Sequence, residues 1–320
     1  MKFAIIGHLI SNQKKNQIPE GWSRHNNILI SPQLNFNGTR GIGISIQLSP
    51  EEMIQLPRDI IHEQILEACL YATDQLNADI IQLGGLTTSV TSGGVWVAKQ
   101  DDFHGYVNHG DSFTAAITCQ NVLKALKIKD KSPDDLILAI VGAYGVIGEA
   151  VSQLLVPRFK ESFLIGRRKE KLEELSSIIN GNYYTSLFLD TKKADVVVTA
   201  TSHPTALLRS EHLKENAVVV DVSQPPNASV ELCKNRPDLF RIDGGFVDSP
   251  TNFNVPLMPK GKIFACIAEV IMQAMEGEKG NHVGSIDLNH LYKTEKWAEK
   301  HGFLLNELTN FGRPRPLLKI

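Results

Sequence analysis

The stretch LILAIVGAYGVIG, residues 136–148, constrains the fold more than any other. Its apolar run has the look of a strand buried on both faces, and it stops at Gly142. Gly145 and Gly148 follow at three-residue spacing, and a helical pattern begins there. A tight glycine turn opening directly into a helix brings backbone N–H groups and the positive end of the helix dipole to one point. A pyrophosphate needs that arrangement. The spacing therefore predicts a dinucleotide site over Gly142, Ala143, Tyr144, Gly145, Val146, Ile147 and Gly148. The next predicted strand ends IGRRKEK. A carboxylate there would accept from a ribose 2′-hydroxyl; Arg167 and Arg168 instead suit a 2′-phosphate and can stack on adenine, which points to NADP(H). Thr199, Ala200, Thr201 and Ser202, after a later strand, are expected beside the nicotinamide half.

Around this motif the chain alternates strand-like and helix-like pieces, which argues an α/β fold with a parallel sheet and crossover helices. At 320 residues two domains are expected. The charged run KIKDKSPDD marks a linker, giving a substrate domain over 1–130, a Rossmann domain over 131–258 and C-terminal helices over 259–320. A composition of 42% hydrophobic and 21% charged residues is ample for buried cores. The net charge of -2 offers no global field for nucleic acid or a membrane surface. Four cysteines without a C-x-x-C point to a reduced, cytoplasmic compartment and no metal site. MKFAIIGHLI is too short and interrupted for a leader and reads as a first strand. No apolar run approaches the roughly 18 residues of a membrane span.

KIFACIAEVIMQAMEG, residues 262–277, holds Cys266. The local pattern permits a small buried residue on a packed helix face or a reactive thiolate. MPKGK just upstream places Cys266 near the helix start, with Lys260 and Lys262 close in sequence; dipole and positive charge both favour thiolate over thiol. Cys69 and Cys119 sit at apolar helical positions and are expected to be inert.

Several segments together resemble the cyanobacterial long-chain acyl-(acyl-carrier-protein) reductases. That family opens on an apolar strand ending I-G-H-L, matched by FAIIGHLI. Its G-G-[FL]-[ST]-[ST] loop is matched by GGLTTS and its G-N-T-H-T-A segment by GDSFTA. G-A-T-G-D-I-G is matched by GAYGVIG, A-R-N-R by GRRK and F-A-C-x-A-E by FACIAE. The resemblance implies a relative of shikimate dehydrogenase and glutamyl-tRNA reductase. Such a protein has an N-terminal α/β substrate domain, a Rossmann NADPH domain, and C-terminal helices completing the substrate domain and packing back across the cleft. It also implies reduction of an acyl thioester to an aldehyde, with Cys266 as the acylated nucleophile. This chain departs from the family at Tyr144 and Val146, which stand for Thr and Asp, and at Asp111 and Phe113, which stand for Asn and His. The region between the first strand and the first long helix is shorter here, which argues against carrying over a long acyl chain.

The chemistry implied needs oxyanion donors and a proton source. Gly85, Thr87, Thr88 and Ser89 of GGLTTS, with Asp111, are the expected substrate contacts; His8 and His109 are the expected acids. Met258, Met272 and Met275 suit an acyl lining or ordinary core. An acyl carrier protein or coenzyme A would bring the thioester, and Arg24, Arg40, Arg58, Arg313 and Arg315 could dock an acidic carrier if the fold gathers them. A shikimate- or quinate-type alcohol dehydrogenase is the rival. Its N-T-D triplet is Asp111-Ser112-Phe113 here, and no lysine stands in GGLTTSVTSGG. A non-catalytic NADP-binding protein is the other.

Overall fold

A computed structural model describes residues 1–9, 15, 17–203, 205–250 and 258–315. Of the region 259–320 expected to hold the C-terminal helices, residues 316–320 lie outside the described residues. The chain forms two compact units, Met1–Gly110 with Cys266–Ser285, and Asp111–Ala265 with Ile286–Ile320.

The first unit opens with β1 (Phe3–His8), then β2 (Ser23–His25), β3 (Ile28–Ile30), β4 (Leu34–Phe36) and β5 (Thr39–Ile46). Two helices follow, α1 (Pro50–Gln55) and α2 (Arg58–Leu70), then β6 (Ile80–Leu83), α3 (Leu86–Val90), α4 (Val95–Ala98) and β7 (Tyr106–Asn108). The strand order is β2-β3-β5-β1-β6-β7, with β4 also on β5. β5, β1, β6 and β7 run parallel, while β3 and β4 pair antiparallel with β5. α1 starts on a capping box: Ser49 Oγ accepts from the Glu52 N–H and Glu52 accepts from the Ser49 N–H, with Pro50 in the first turn. Ile61, Ile65, Ala68 and Cys69 of α2 join Ala4, Ile6, Ile44 and Leu83 in one buried cluster.

The second unit begins with α5 (Asp111–Ile128), β8 (Ile137–Val141), α6 (Val146–Leu155), β9 (Glu161–Ile165), α7 (Lys169–Ser176) and β10 (Tyr183–Ser186). It continues through β11 (Val196–Thr199), β12 (Val218–Asp221), α8 (Val230–Asn235), β13 (Phe240–Asp243), β14 (Phe246–Asp248) and β15 (Lys262–Phe264). The wholly parallel sheet runs β10-β9-β8-β11-β12-β13, which is the doubly wound order 3-2-1-4-5-6. Its central strands are apolar on both faces, Val196, Val197 and Val198 being wholly buried, because helices must cover each side of such a sheet. α5 belongs to this unit: it packs on α6 and on the later helix α10, so the charged run after it is not a boundary between units.

α9 (Ala265–Glu276) carries the chain back to the first unit, and α10 (Leu288–His301), β16 (Thr309–Asn310) and β17 (Arg313–Pro314) belong to the second. Asp287 caps the start of α10, and Gly302 ends it in the left-handed conformation at φ +81°. The expected two-domain α/β architecture with a parallel Rossmann sheet is therefore the one observed. Among the described residues no helix is long and apolar enough to cross a membrane.

Candidate functional site

The glycine loop sits where the strand order of the doubly wound sheet reverses, between β8 and β11. Gly142 adopts φ +86°, and a Cβ there would lie 2.3 Å from the Ala200 carbonyl oxygen. A Cβ on Gly148 would lie 2.1 Å from the Gly142 oxygen. Backbone proximity thus forces the first and third glycines. Gly142 and Ala143 N–H both donate to Ile165 O, at 2.9 and 3.1 Å, which ties the loop to the end of β9. Gly145 is the N-cap of α6 and brings no capping side chain, so the helix start offers its amides to an anion. These residues fit a pyrophosphate. Glu149 lies in the first turn of α6, and burial, then the charge of Glu174, raise its pKa, which disfavours a negative charge there.

Arg167 and Arg168 are exposed at the end of β9, and Tyr144 lies against them, its oxygen accepting the Arg167 N–H at 3.1 Å. Thr199 differs from expectation: it is wholly buried and donates its one hydroxyl hydrogen to Asp221 Oδ1 at 2.7 Å. Asp221 also accepts from the Ala228 N–H and from Arg241, which in turn pairs with Asp243, so Thr199 is part of a buried polar network. Thr201 N–H donates to Ser223 Oγ at 3.0 Å and Thr201 Oγ1 to Asn227 Oδ1 at 2.7 Å, which fixes the loop after β11 beside Gly142.

In the first unit Cys266 occupies the first turn of α9 and is half-buried. Gly110, two residues past β7, touches it. A Cβ on Gly110 would lie 2.6 Å from Cys266 Cβ and 2.3 Å from its carbonyl oxygen, and Gly110 has φ +75°. No other residue type fits that backbone. A buried chain of hydrogen bonds holds the contact: Gly110 N–H donates to Asn108 Oδ1 (2.6 Å) and Asn108 Nδ2 donates to Gln273 Oε1 (2.8 Å). Gln273 Nε2 then donates to Gly280 O at 3.0 Å. Sequence reasoning missed this clamp, although a glutamine inside the apolar run IMQAM was a visible signal for it.

Lys262 is one of the two lysines expected to favour the thiolate. Lys262 is buried and paired with Asp248, so its charge is already compensated. His8 is also otherwise engaged. Its Nδ1 donates to Leu9 O at 2.7 Å, and its Nε2 accepts from the Leu86 N–H at 3.2 Å. The ring acts as a long-range cap on α3, and burial lowers its pKa against the smaller opposing effects of Leu9 O and Glu51. Residues 86–90 form α3 itself where a loop was expected. Thr87 Oγ1 donates to Gly84 O at 2.9 Å and Thr88 Oγ1 to Leu83 O at 2.7 Å, so neither hydroxyl has a hydrogen left for an oxyanion. Ser89 is exposed, and Gly85 holds φ +64°. Asp111 opens α5, and His109 is buried with its N–H on His282 O at 3.2 Å. Met272 is core and Met275 partly buried on the same helix. Arg315 donates to Arg241 O and Leu239 O and stands over Phe240, which removes it from any docking patch.

The sheet order and the glycine loop define a Rossmann-type dinucleotide-binding fold. A family described as shikimate / quinate 5-dehydrogenase matches residues 124–244. The aminotransferase PigE of a Serratia strain is 27% identical over 250 residues, covering 73% of this chain and 29% of that protein. The long-chain acyl-(acyl-carrier-protein) reductase of Synechococcus elongatus is 26% identical over 207 residues, covering 61% of this chain and 60% of that one. The chain thus spans under two thirds of either relative. Among solved structures, the malic enzyme of Entamoeba histolytica matches with a TM-score of 0.47 at 15% identity, covering 85% of this chain and 58% of that one. The weak homology to the cyanobacterial reductase agrees with the motif resemblance.

Proposed function

We propose that this chain is an NADPH-dependent reductase that converts an acyl thioester to an aldehyde through an acyl group carried on Cys266. The observation that carries the reading is the placement of Cys266. It is a half-buried thiol in the first turn of a twelve-residue helix, with the Gly110 backbone pressed against it, whereas Cys69 and Cys119 are wholly in core. A helix start stabilises thiolate over thiol. The thiolate attacks the thioester carbonyl, the new C–S bond forms, the bond to the carrier sulfur breaks, and the carrier thiolate takes a proton. NADPH, when bound at Gly142–Gly148, Arg167 and Arg168, supplies the hydride that reduces the Cys266 thioester. The resulting hemithioacetal loses its C–S bond, releasing aldehyde and regenerating the Cys266 thiol. The exposed Ser89 hydroxyl is the oxyanion donor in this reading. His8 positions α3 instead of donating the proton, because both its nitrogens are engaged and its charged form is disfavoured. The carrier is an acyl carrier protein or coenzyme A, and a cytoplasmic setting fits the reduced thiols.

The shikimate- and quinate-type family matches residues 124–244 alone. That span holds the nucleotide loop but neither GGLTTS nor Cys266, so it supports the cofactor half of the reading alone.

The test is intact-protein mass after mixing wild type and Cys266→Ala with short and long acyl thioesters in the absence of NADPH. An acyl mass on wild type alone, lost with aldehyde appearing when NADPH is added, is the expected result. No adduct from any thioester, with NADPH still binding, overturns it.

A further inference from the structure

The end of β9 carries an arrangement that the glycine motif does not explain. Gly166 follows the strand, and a Cβ there would lie 2.2 Å from Tyr144 Cε1, so the phenol ring rests on bare backbone at this point. Its oxygen accepts the Arg167 N–H at 3.1 Å, and the Arg168 guanidinium carbon stands 5.3 Å from the ring centroid. Tyr144 therefore bridges the phosphate loop and the end of the second strand, where a ribose 2′ substituent meets a sheet of this order. No carboxylate stands at 166–168, and a 2′-hydroxyl would need one as acceptor. What the site offers is donors. A phenol that accepts through oxygen keeps its own hydrogen to give, and a guanidinium can only donate.

We propose that Tyr144 reads the 2′-phosphate of NADP(H), its hydroxyl donating to a phosphate oxygen while its ring holds the Arg168 guanidinium against the same phosphate. This rests on the reading of NADPH as cofactor and goes beyond it by assigning the selectivity to a residue of the phosphate loop. Gly166 is the permissive element, since any side chain there displaces the ring. The electrostatics agree. Burial raises the phenol pKa, but hydrogen bonds from the Arg168 side chain and from the Arg167 and Arg168 amides outweigh it, and a phenol held below its usual range is a stronger donor.

The experiment is equilibrium binding of NADPH and NADH, followed by nucleotide fluorescence, to full-length wild type, Tyr144→Phe and Arg168→Ala; no thioester turnover is needed. Tyr144→Phe keeps the ring and removes only the hydroxyl. It is expected to weaken NADPH about tenfold and leave NADH unchanged, as loss of one charge-assisted hydrogen bond should. Arg168→Ala is expected to weaken NADPH further, and to weaken NADH much less, through the lost adenine contact alone. Wild-type affinity of Tyr144→Phe for NADPH, or an equal loss for both nucleotides, overturns the role given to Tyr144. Equal affinity of wild type for NADPH and NADH instead overturns the cofactor reading beneath it, so the two failures are told apart.

Discussion

Burial separates four chemically identical thiols. Cys69 is wholly buried, and burial drives its pKa far up; the same cause pushes Cys119 up to about 12. Cys233 is half-buried and also raised, burial being the largest cause. Cys266 has the helix start and partial exposure. N-Ethylmaleimide near neutral pH should therefore label Cys266 first and Cys233 more slowly, leaving Cys69 and Cys119 unmodified until the chain unfolds. Peptide mass mapping over time checks this, and labelling of Cys69 at the rate of Cys266 would contradict it. Gly110→Ala makes the complementary test. The added methyl meets the Cys266 backbone and sits at φ +75°, so about 2–4 kcal/mol of stability should be lost and Cys266 labelling should change rate. A helix was legible from the amphipathic run after Cys266, although Lys262 and the two residues after it form β15 and the helix begins only at Ala265. The Gly110 clamp was not, since two residues far apart in sequence meet only after β7 and α9 are placed.

Elements defined by local pattern were legible for a physical reason: an unbroken valine run suits the inside of a parallel sheet, and the i, i+4 apolar spacing of α2 and α5 suits a helix. The short strands β2, β3 and β4 escaped, as three residues carry too little periodicity to count. α3 escaped for a different reason. GGLTTS has the glycines and hydroxyls of a turn, but its helical start is capped by His8, a residue on β1 that no local window contains. This cap gives a pH prediction. The folded-state pKa of His8 lies below the ordinary 6.5, so its share of stability is full above pH 6.5 and is lost as pH falls toward the depressed folded value. Wild type should lose stability over that window, and His8→Gln should lack that part of the loss. His8→Ala, which leaves the Leu86 N–H without its acceptor, should cost about 1 kcal/mol at pH 8. Urea unfolding of the three proteins from pH 8 to pH 5 decides it, and parallel curves for wild type and His8→Gln would refute the assignment.

At the scale of the molecule, the alternation of strands and helices was enough to foresee two α/β units, because a parallel sheet demands crossovers that leave a rhythm in the sequence. Where the units divide was not foreseen. A charged run after α5 has the composition of a linker, yet α5 packs on α6 and α10 and so belongs with the nucleotide unit. If the division and the cofactor reading are right, ligands should stabilise the chain unevenly. NADPH at a hundred times its Kd should add about 2.7 kcal/mol through linkage. Amide hydrogen exchange should slow first over residues 142–148 and 166–168, where this proposal puts the nucleotide against the loop that is tied to the end of β9. An acyl thioester added without NADPH should instead slow exchange at the start of α9, and only when Cys266 is present. NADPH protection confined to Met1–Gly110 would move the nucleotide to the other sheet. Thioester protection that survives Cys266→Ala would mean the acyl group binds there without being carried on the thiol.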